Sequence, residues 1–136
     1  MIINSYSKIN LTLKVNSKSK NKLHELQSLY CWINLFDTIK INKIKNNKDT
    51  IRFKGKFAKL VNNRNNSISS LLKKLRELDL ISDYYSIIVK KNIPVFGGLG
   101  GGTSNAVFIL KYLLKKKINS VLLNKLEKTI GSDSRL

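Results

Sequence analysis

The densest cluster of chemically useful residues in this 136-residue chain is Pro94-Val95-Phe96-Gly97-Gly98-Leu99-Gly100-Gly101-Gly102-Thr103-Ser104-Asn105-Ala106. Five of the chain's seven glycines fall within Gly97–Gly102. Without a Cβ, glycines let backbone N–H groups approach an anion. A helix opening directly after them adds free N–H groups and a positive dipole end. Pro94, Gly97, Gly98, Leu99, Gly100, Gly101, Gly102, Thr103 and Ser104 therefore form a candidate phosphate-binding loop. The Thr103 or Ser104 hydroxyl is also able to ligate a metal ion such as Mg2+. No Gly-Lys-[Ser/Thr] closes the loop, so it is not a Walker A motif. It is not Gly-x-Gly-x-x-Gly either, since the sixth position counted from Gly98 is Thr103. The plain alternative is a turn that lets a helix pack closely on a strand, but five glycines exceed what one turn or cap requires.

Other reactive side chains are sparse. His24 is the single histidine and Cys31 the single cysteine, so no His/Cys cluster exists to hold a metal. One cysteine forms no intrachain disulfide, which fits a reducing compartment and a cytoplasmic location. Its apolar neighbours in Tyr30-Cys31-Trp32-Ile33 predict a core position. Lys8, Asn10, Asn66 and Asp133 are unremarkable taken singly: a surface lysine, a strand asparagine, a helix N-cap and a loop aspartate.

The elements that must carry these residues follow from periodicity. Ile2 to Asn16 alternates with period two and predicts a half-buried strand, followed by a polar turn from Asn16 to Asn21. Leu26 to Phe36, Thr38 to Lys45 and Thr50 to Phe53 predict three further strands. Ile68, Leu71, Leu72, Leu75 and Leu78 recur at helical spacing behind a cap at Asn66 or Ser67. Tyr84 to Lys90 reads as a strand, Asn92 to Thr103 as the loop, and Ser104 to Lys116 and Ser120 to Ile130 as helices, with Gly131 at the C′ position. The prediction is one α+β domain, an antiparallel sheet covered on one face by helices.

Charge constrains partners. The net charge is +18. All basic residues but Arg52, Arg64, Arg76 and Arg135 are lysines, and arginine is the residue suited to bidentate phosphate and base contacts. The expectation is attraction of anionic substrates such as nucleotides, with no specific nucleic-acid partner. Lys8 and Lys14 interrupt any signal-like apolar run, and no run approaches a membrane span, so no membrane partner is expected.

The loop resembles the phosphate-binding motif of the kinase superfamily named for galactokinase, homoserine kinase, mevalonate kinase and phosphomevalonate kinase. Two more segments, Ser5-Tyr6-Ser7-Lys8-Ile9-Asn10-Leu11 and Leu23-His24-Glu25-Leu26-Gln27-Ser28-Leu29 with the downstream Asp37-Thr38, resemble motifs of its branch that acts on a cytidine diphosphate-linked methylerythritol in non-mevalonate isoprenoid synthesis. The resemblance covers the whole chain and about the N-terminal half of such an enzyme. It implies the superfamily's N-terminal ATP-binding domain over residues 1–136, a fold also used by a ribosomal protein, with the C-terminal domain absent. It implies ATP and Mg2+, a small-molecule acceptor, Asp133 as the group that takes the hydroxyl proton, and Lys8 as the cation beside it. It further implies Asn10 and His24 at the substrate and Asn66 near the adenine. The sequence departs from the pattern where Leu23 replaces a stacking tyrosine, where Phe96 replaces the first loop glycine, and in Ser134-Arg135-Leu136 after the aspartate. The chain alone is then expected to have little kinase activity and to leave Val107 and Phe108 poorly covered. Another kinase of the superfamily, a non-catalytic remnant and a basic RNA-binding module are the competing readings.

Overall fold

The computed structural model describes residues 1–18, 24–115 and 118–131. A four-stranded sheet is built from β1 (Ile2–Lys18), β2 (His24–Ile44), β3 (Thr50–Lys54) and β4 (Tyr84–Lys90), in the order β1-β2-β4-β3. Three helices complete it: α1 (Ser67–Glu77), α2 (Gly101–Leu114) and α3 (Ser120–Ile130). The architecture is the α+β one expected.

The pairing β1–β2 and β2–β4 is antiparallel, whereas β3–β4 is parallel. The parallel pair has a simple cause. Between β3 and β4 the chain runs through α1, and a helical crossover returns it to the end from which β3 started. Arg76 of α1 ties this unit together by a bidentate ion pair with Asp49 at 2.8 and 2.9 Å, while Asp49 also accepts the backbone N–H of Tyr85 at 2.8 Å.

Two strands expected separately, Leu26–Phe36 and Thr38–Lys45, are one continuous β2. Pairing with β1 runs unbroken through Phe36, Asp37 and Thr38, and the irregularity is a bulge a little earlier, at Asn34 and Leu35: Tyr6 faces Phe36 but the next residue, Ser7, faces Ile33. The buried Ser7 hydroxyl donates to the Leu35 carbonyl at 2.8 Å and satisfies the bulged backbone. β4 pairs with β2 only from Thr38 onward, so the earlier part of β2 continues with β1 alone as a two-stranded ribbon. Cys31 lies on that ribbon opposite Ile9 and is half-buried, not core as its apolar neighbours suggested. Its neighbour Trp32 is 48% exposed. Of the predicted Asn16–Asn21 turn, residues 16–18 belong to β1 and the remainder falls outside the described residues.

The core lies between one sheet face and the helices. Ile39 and Ile41 of β2 and Ile87 and Val89 of β4 point into it, while Lys40, Asn42 and Lys90 lie on the opposite, more open face. Leu71, Leu75, Ile109, Leu110 and Leu126 meet them from the three helices. Val107 is 6% exposed, contrary to the expectation that it lies uncovered, because α2 packs over β1 and β2; Phe108 is half-buried. Among the described residues no helix is long and apolar enough to cross a membrane.

Candidate functional site

The glycine loop forms one wall of a cavity of about 480 Å3. The opposite wall comes from Phe53, from Leu60–Asn62 and from Asn65–Ile68 at the entrance to α1; Lys91 and Asn105 also line it. Gly98 and Gly100 have φ of +69° and +65°, in the left-handed region. Gly100 is the N-cap of α2, and no side chain caps that helix. α2 consequently begins at Gly101, earlier than the predicted Ser104, with Gly101 and Gly102 in its first turn. Gly101 is required for contact rather than for dihedral freedom: a Cβ there would lie 2.9 Å from Cγ2 of Ile93. No acidic residue occupies the first turn. The first-turn N–H groups and the positive dipole end are thus available to an anion.

Phe96 also has φ +65° and is 93% exposed. The position where the family pattern has glycine is one where the backbone adopts a glycine-favoring conformation, and here a phenylalanine occupies it. A non-glycine residue in that region costs about 1–2 kcal/mol.

Asn66 is the N-cap of α1. Its Oδ1 accepts the backbone N–H groups of Ile68 and Ser69 at 3.1 and 3.0 Å, and its Nδ2 donates to the Asn62 carbonyl at 3.0 Å. Ser69 completes a capping box by accepting the Asn66 N–H at 3.1 Å. The same residue lines the cavity, so the cap sets the wall facing the loop.

On the other side of Gly100 lies a shallow crevice lined by Lys8, Trp32, Gly100, Ser104, Val107, Phe108 and Lys111. Gly100 borders both spaces. The Lys8 N–H donates to the Leu99 carbonyl at 3.3 Å, so the edge of β1 holds the loop. The Lys8 side chain is buried, with Nζ 5.5 Å from the centre of the Tyr30 ring. The Ser104 hydroxyl donates to the Tyr6 carbonyl at 2.6 Å and so accepts from the Ser5 hydroxyl at 2.9 Å. Ser104 therefore anchors α2 to β1, whereas Thr103 lines the cavity. Of the two hydroxyls suggested for Mg2+, Thr103 is the hard oxygen donor on the cavity wall. Such an ion needs only one or two protein oxygens beside phosphates and water. Asn10 lies opposite Tyr30 in the ribbon, two residues from Lys8 and on the same strand face.

His24 is the first residue of β2, but its side chain lies outside what the structure describes, as do Leu23 and Asp133. Gly131, two positions before Asp133 in sequence, packs on the start of α2. Its φ is +112°, and a Cβ there would lie 2.5 Å from Thr103 Oγ1.

Sequence reasoning did not single out Asp37, Lys91 or Asn105 as part of the site. Asp37 is fully buried and accepts four donors. Lys91 Nζ forms an ion pair with Oδ2, and Asn105 Nδ2 donates to the same oxygen at 2.9 Å. The N–H groups of Asn92 and Ile93 donate to Oδ1 at 2.8 and 2.9 Å. With Asn105 Nδ2 turned to Asp37, its Oδ1 is buried and accepts no hydrogen bond among the described residues. The only signal for this cluster was the Asp37-Thr38 pair within the family resemblance. Nothing nearby in sequence indicates its partners.

Residues 66–133 match the family model described as "GHMP kinases N terminal domain". That is half of the chain, and the chain belongs to this family. Among curated relatives it is 40% identical, over 135 residues, to the 4-diphosphocytidyl-2-C-methyl-D-erythritol kinase of Pelagibacter ubique, covering 96% of this chain and 47% of the relative. It is 36% identical to the enzyme of that name from Ureaplasma parvum, covering 88% and 47%. Among solved structures it resembles a 4-(cytidine 5'-diphospho)-2C-methyl-D-erythritol kinase, with TM-score 0.67 and 25% identity over 98% of this chain and 47% of that one. The mevalonate kinase of Methanococcus jannaschii shares the fold, with TM-score 0.54, 18% identity and coverage of 96% and 45%. The chain spans about half the length of the curated relatives it matches.

Proposed function

We propose that this chain is the ATP-binding, N-terminal part of a kinase that transfers the γ-phosphoryl group of ATP to the 2-hydroxyl of 4-diphosphocytidyl-2-C-methyl-D-erythritol, for isoprenoid precursor synthesis in the cytoplasm. The observation that carries the reading is the glycine loop at the uncapped start of α2, with a cavity on one side and the buried Lys8 on the other. The names of the relatives support the choice of acceptor.

In this reading the cavity takes the nucleotide, with its phosphates against the N–H groups of the loop and the first turn of α2. Mg2+, when bound, would neutralise charge on the β- and γ-phosphates, with Thr103 as this chain's oxygen donor to it. The acceptor approaches from the Lys8 side. Its hydroxyl oxygen forms the new bond to the γ-phosphorus as the bond to the β–γ bridging oxygen breaks, releasing ADP. Asp133 takes the hydroxyl proton. Lys8 favours the ionised carboxylate and offsets developing charge. Asn10 and His24 hold the cytidine-linked end.

Turnover requires the hydroxyl to be held in line with the γ-phosphate and away from water, which contributes as much as about 7–11 kcal/mol of barrier reduction. The chain by itself is expected to bind nucleotide but to turn over little. The test is ADP release with the cytidyl substrate from the chain, from the chain completed with a relative's C-terminal half, and from the completed chain carrying Asp133→Asn. Robust turnover by the 136-residue chain alone would contradict the need for the C-terminal half. No activity in the completed chain would favour a non-catalytic remnant, and undiminished activity of Asp133→Asn would remove the base.

A further inference from the structure

We propose that Asp37 is a positioning residue for the phosphate loop, setting both where the loop leaves β4 and where α2 begins. The proposal rests on the kinase reading only for its consequence on nucleotide binding. A glycine-rich segment has no side chains to fix its path and the largest backbone freedom to lose. Apart from the β1 contact at Leu99, its location is therefore set at its ends. One end follows Ile93, whose N–H is bound by Asp37 Oδ1, as is that of Asn92. The other end passes into α2, where Asn105 Nδ2 is bound by Asp37 Oδ2. A single fully buried carboxylate thus holds both ends of Pro94–Gly100.

Packing reinforces this. Gly101, the first residue of α2, sits so close that a Cβ would lie 2.9 Å from Ile93 Cγ2 and 3.4 Å from Lys91 Nζ. Both of those residues are held by Asp37. An ion pair serving stability alone needs one partner. Here the same carboxylate engages two backbone N–H groups and a side-chain amide from a separate helix, and buried ion pairs are in any case weak stabilisers compared with apolar replacements.

The experiment uses Asp37→Asn in the full 136-residue chain. It follows the amide resonances and hydrogen exchange of Gly97–Gly102 without nucleotide, then thermal unfolding and MgATP titration. The expected result is a folded protein whose loop amides shift and exchange faster, with MgATP binding weakened about tenfold or more, as loss of positioning allows. A folded variant whose loop amides match the wild type overturns the proposal. Should the single variant fail to fold because Lys91 is left as an unpaired buried charge, Asp37→Asn combined with Lys91→Met removes both charges and the same amides are read. If neither folds, the role is structural and the proposal falls. If the wild-type chain shows no MgATP binding, the nucleotide reading fails while the amide measurement still decides the role of Asp37.

Discussion

The backbone N–H of Lys8 donates to the carbonyl of Leu99 at 3.3 Å, joining the first strand to the glycine loop. The next residue, Gly100, holds φ +65° and is the N-cap of α2. A β-branched side chain is poorly tolerated there, so Gly100→Val is expected to destabilise the fold by at least about 1–2 kcal/mol. It should also abolish measurable MgATP binding. Thermal unfolding and calorimetric titration of both proteins check this. Equal nucleotide affinity in the two would take the loop out of the argument.

Phe96 offers the opposite experiment. It holds a left-handed conformation with 93% of its surface exposed. Glycine there relieves about 1–2 kcal/mol of backbone cost but adds unfolded-state freedom worth about 0.5–1 kcal/mol. Phe96→Gly should therefore stabilise the chain by about 0.5–1 kcal/mol, read as a higher denaturant midpoint at unchanged slope. A lower midpoint would mean that the ring makes contacts its exposure conceals.

Asn66 separates capping from ligand contact. Asn66→Ala removes the oxygen that accepts from Ile68 and Ser69 and should cost about 1 kcal/mol. Asn66→Asp keeps an acceptor and adds a charge that suits a helix N-terminus. It should recover most of the lost stability. If it also recovers MgATP affinity, Asn66 acts through the cap alone; stability without affinity identifies a direct contact to the nucleotide.

Tyr85 gives the chain an alkaline limit. Burial, helped by the nearby Asp83 carboxylate, raises its phenol above the ordinary value of 10.0. A raised folded-state value means that the neutral phenol is favored in the fold. The stabilisation is complete below the unfolded-state value and is lost as pH rises through the folded one. Stability should fall as pH rises above about 10, and less so in Tyr85→Phe. Phenolate absorbance together with unfolding midpoints across that range tests this; identical alkaline profiles for the two proteins would contradict it.

Much of the fold was readable because the signals are local. The alternation of Ile39, Ile41, Ile87 and Val89 marks the buried face of two strands, and Ile68, Leu71, Leu72 and Leu75 mark the inner face of α1. Caps at Asn66 and Gly131 are read from residue type and place. What escaped depends on residues distant in sequence. The parallel entry of β3 is decided by which strand it meets after a crossover. Two predicted strands are fused into β2 because Asp37 pairs with Ser5, far away in sequence, and the bulge just before it depends on Ser7 reaching Leu35. Cys31 sits among apolar neighbours in sequence but on a ribbon that extends past β4. The candidate site divides in the same way. Glycine density announced the cradle, whereas Asp37, which holds it, meets partners more than fifty positions along the chain.

The bond between Lys8 and Leu99 also makes the loop a long-range feature of the chain. The unit β3–α1–β4 closes over short stretches of sequence and carries a low loop-closure cost. The loop's final shape, by contrast, includes a contact between β1 and a residue near the end of the third quarter of the chain. The geometry of the cradle therefore draws on a contact of high sequence separation, with a larger loop-closure cost than the contacts within β3–α1–β4. An anion bound by this loop would add its binding energy to that long-range closure, so nucleotide binding and the docking of β1 on the loop are expected to favour each other.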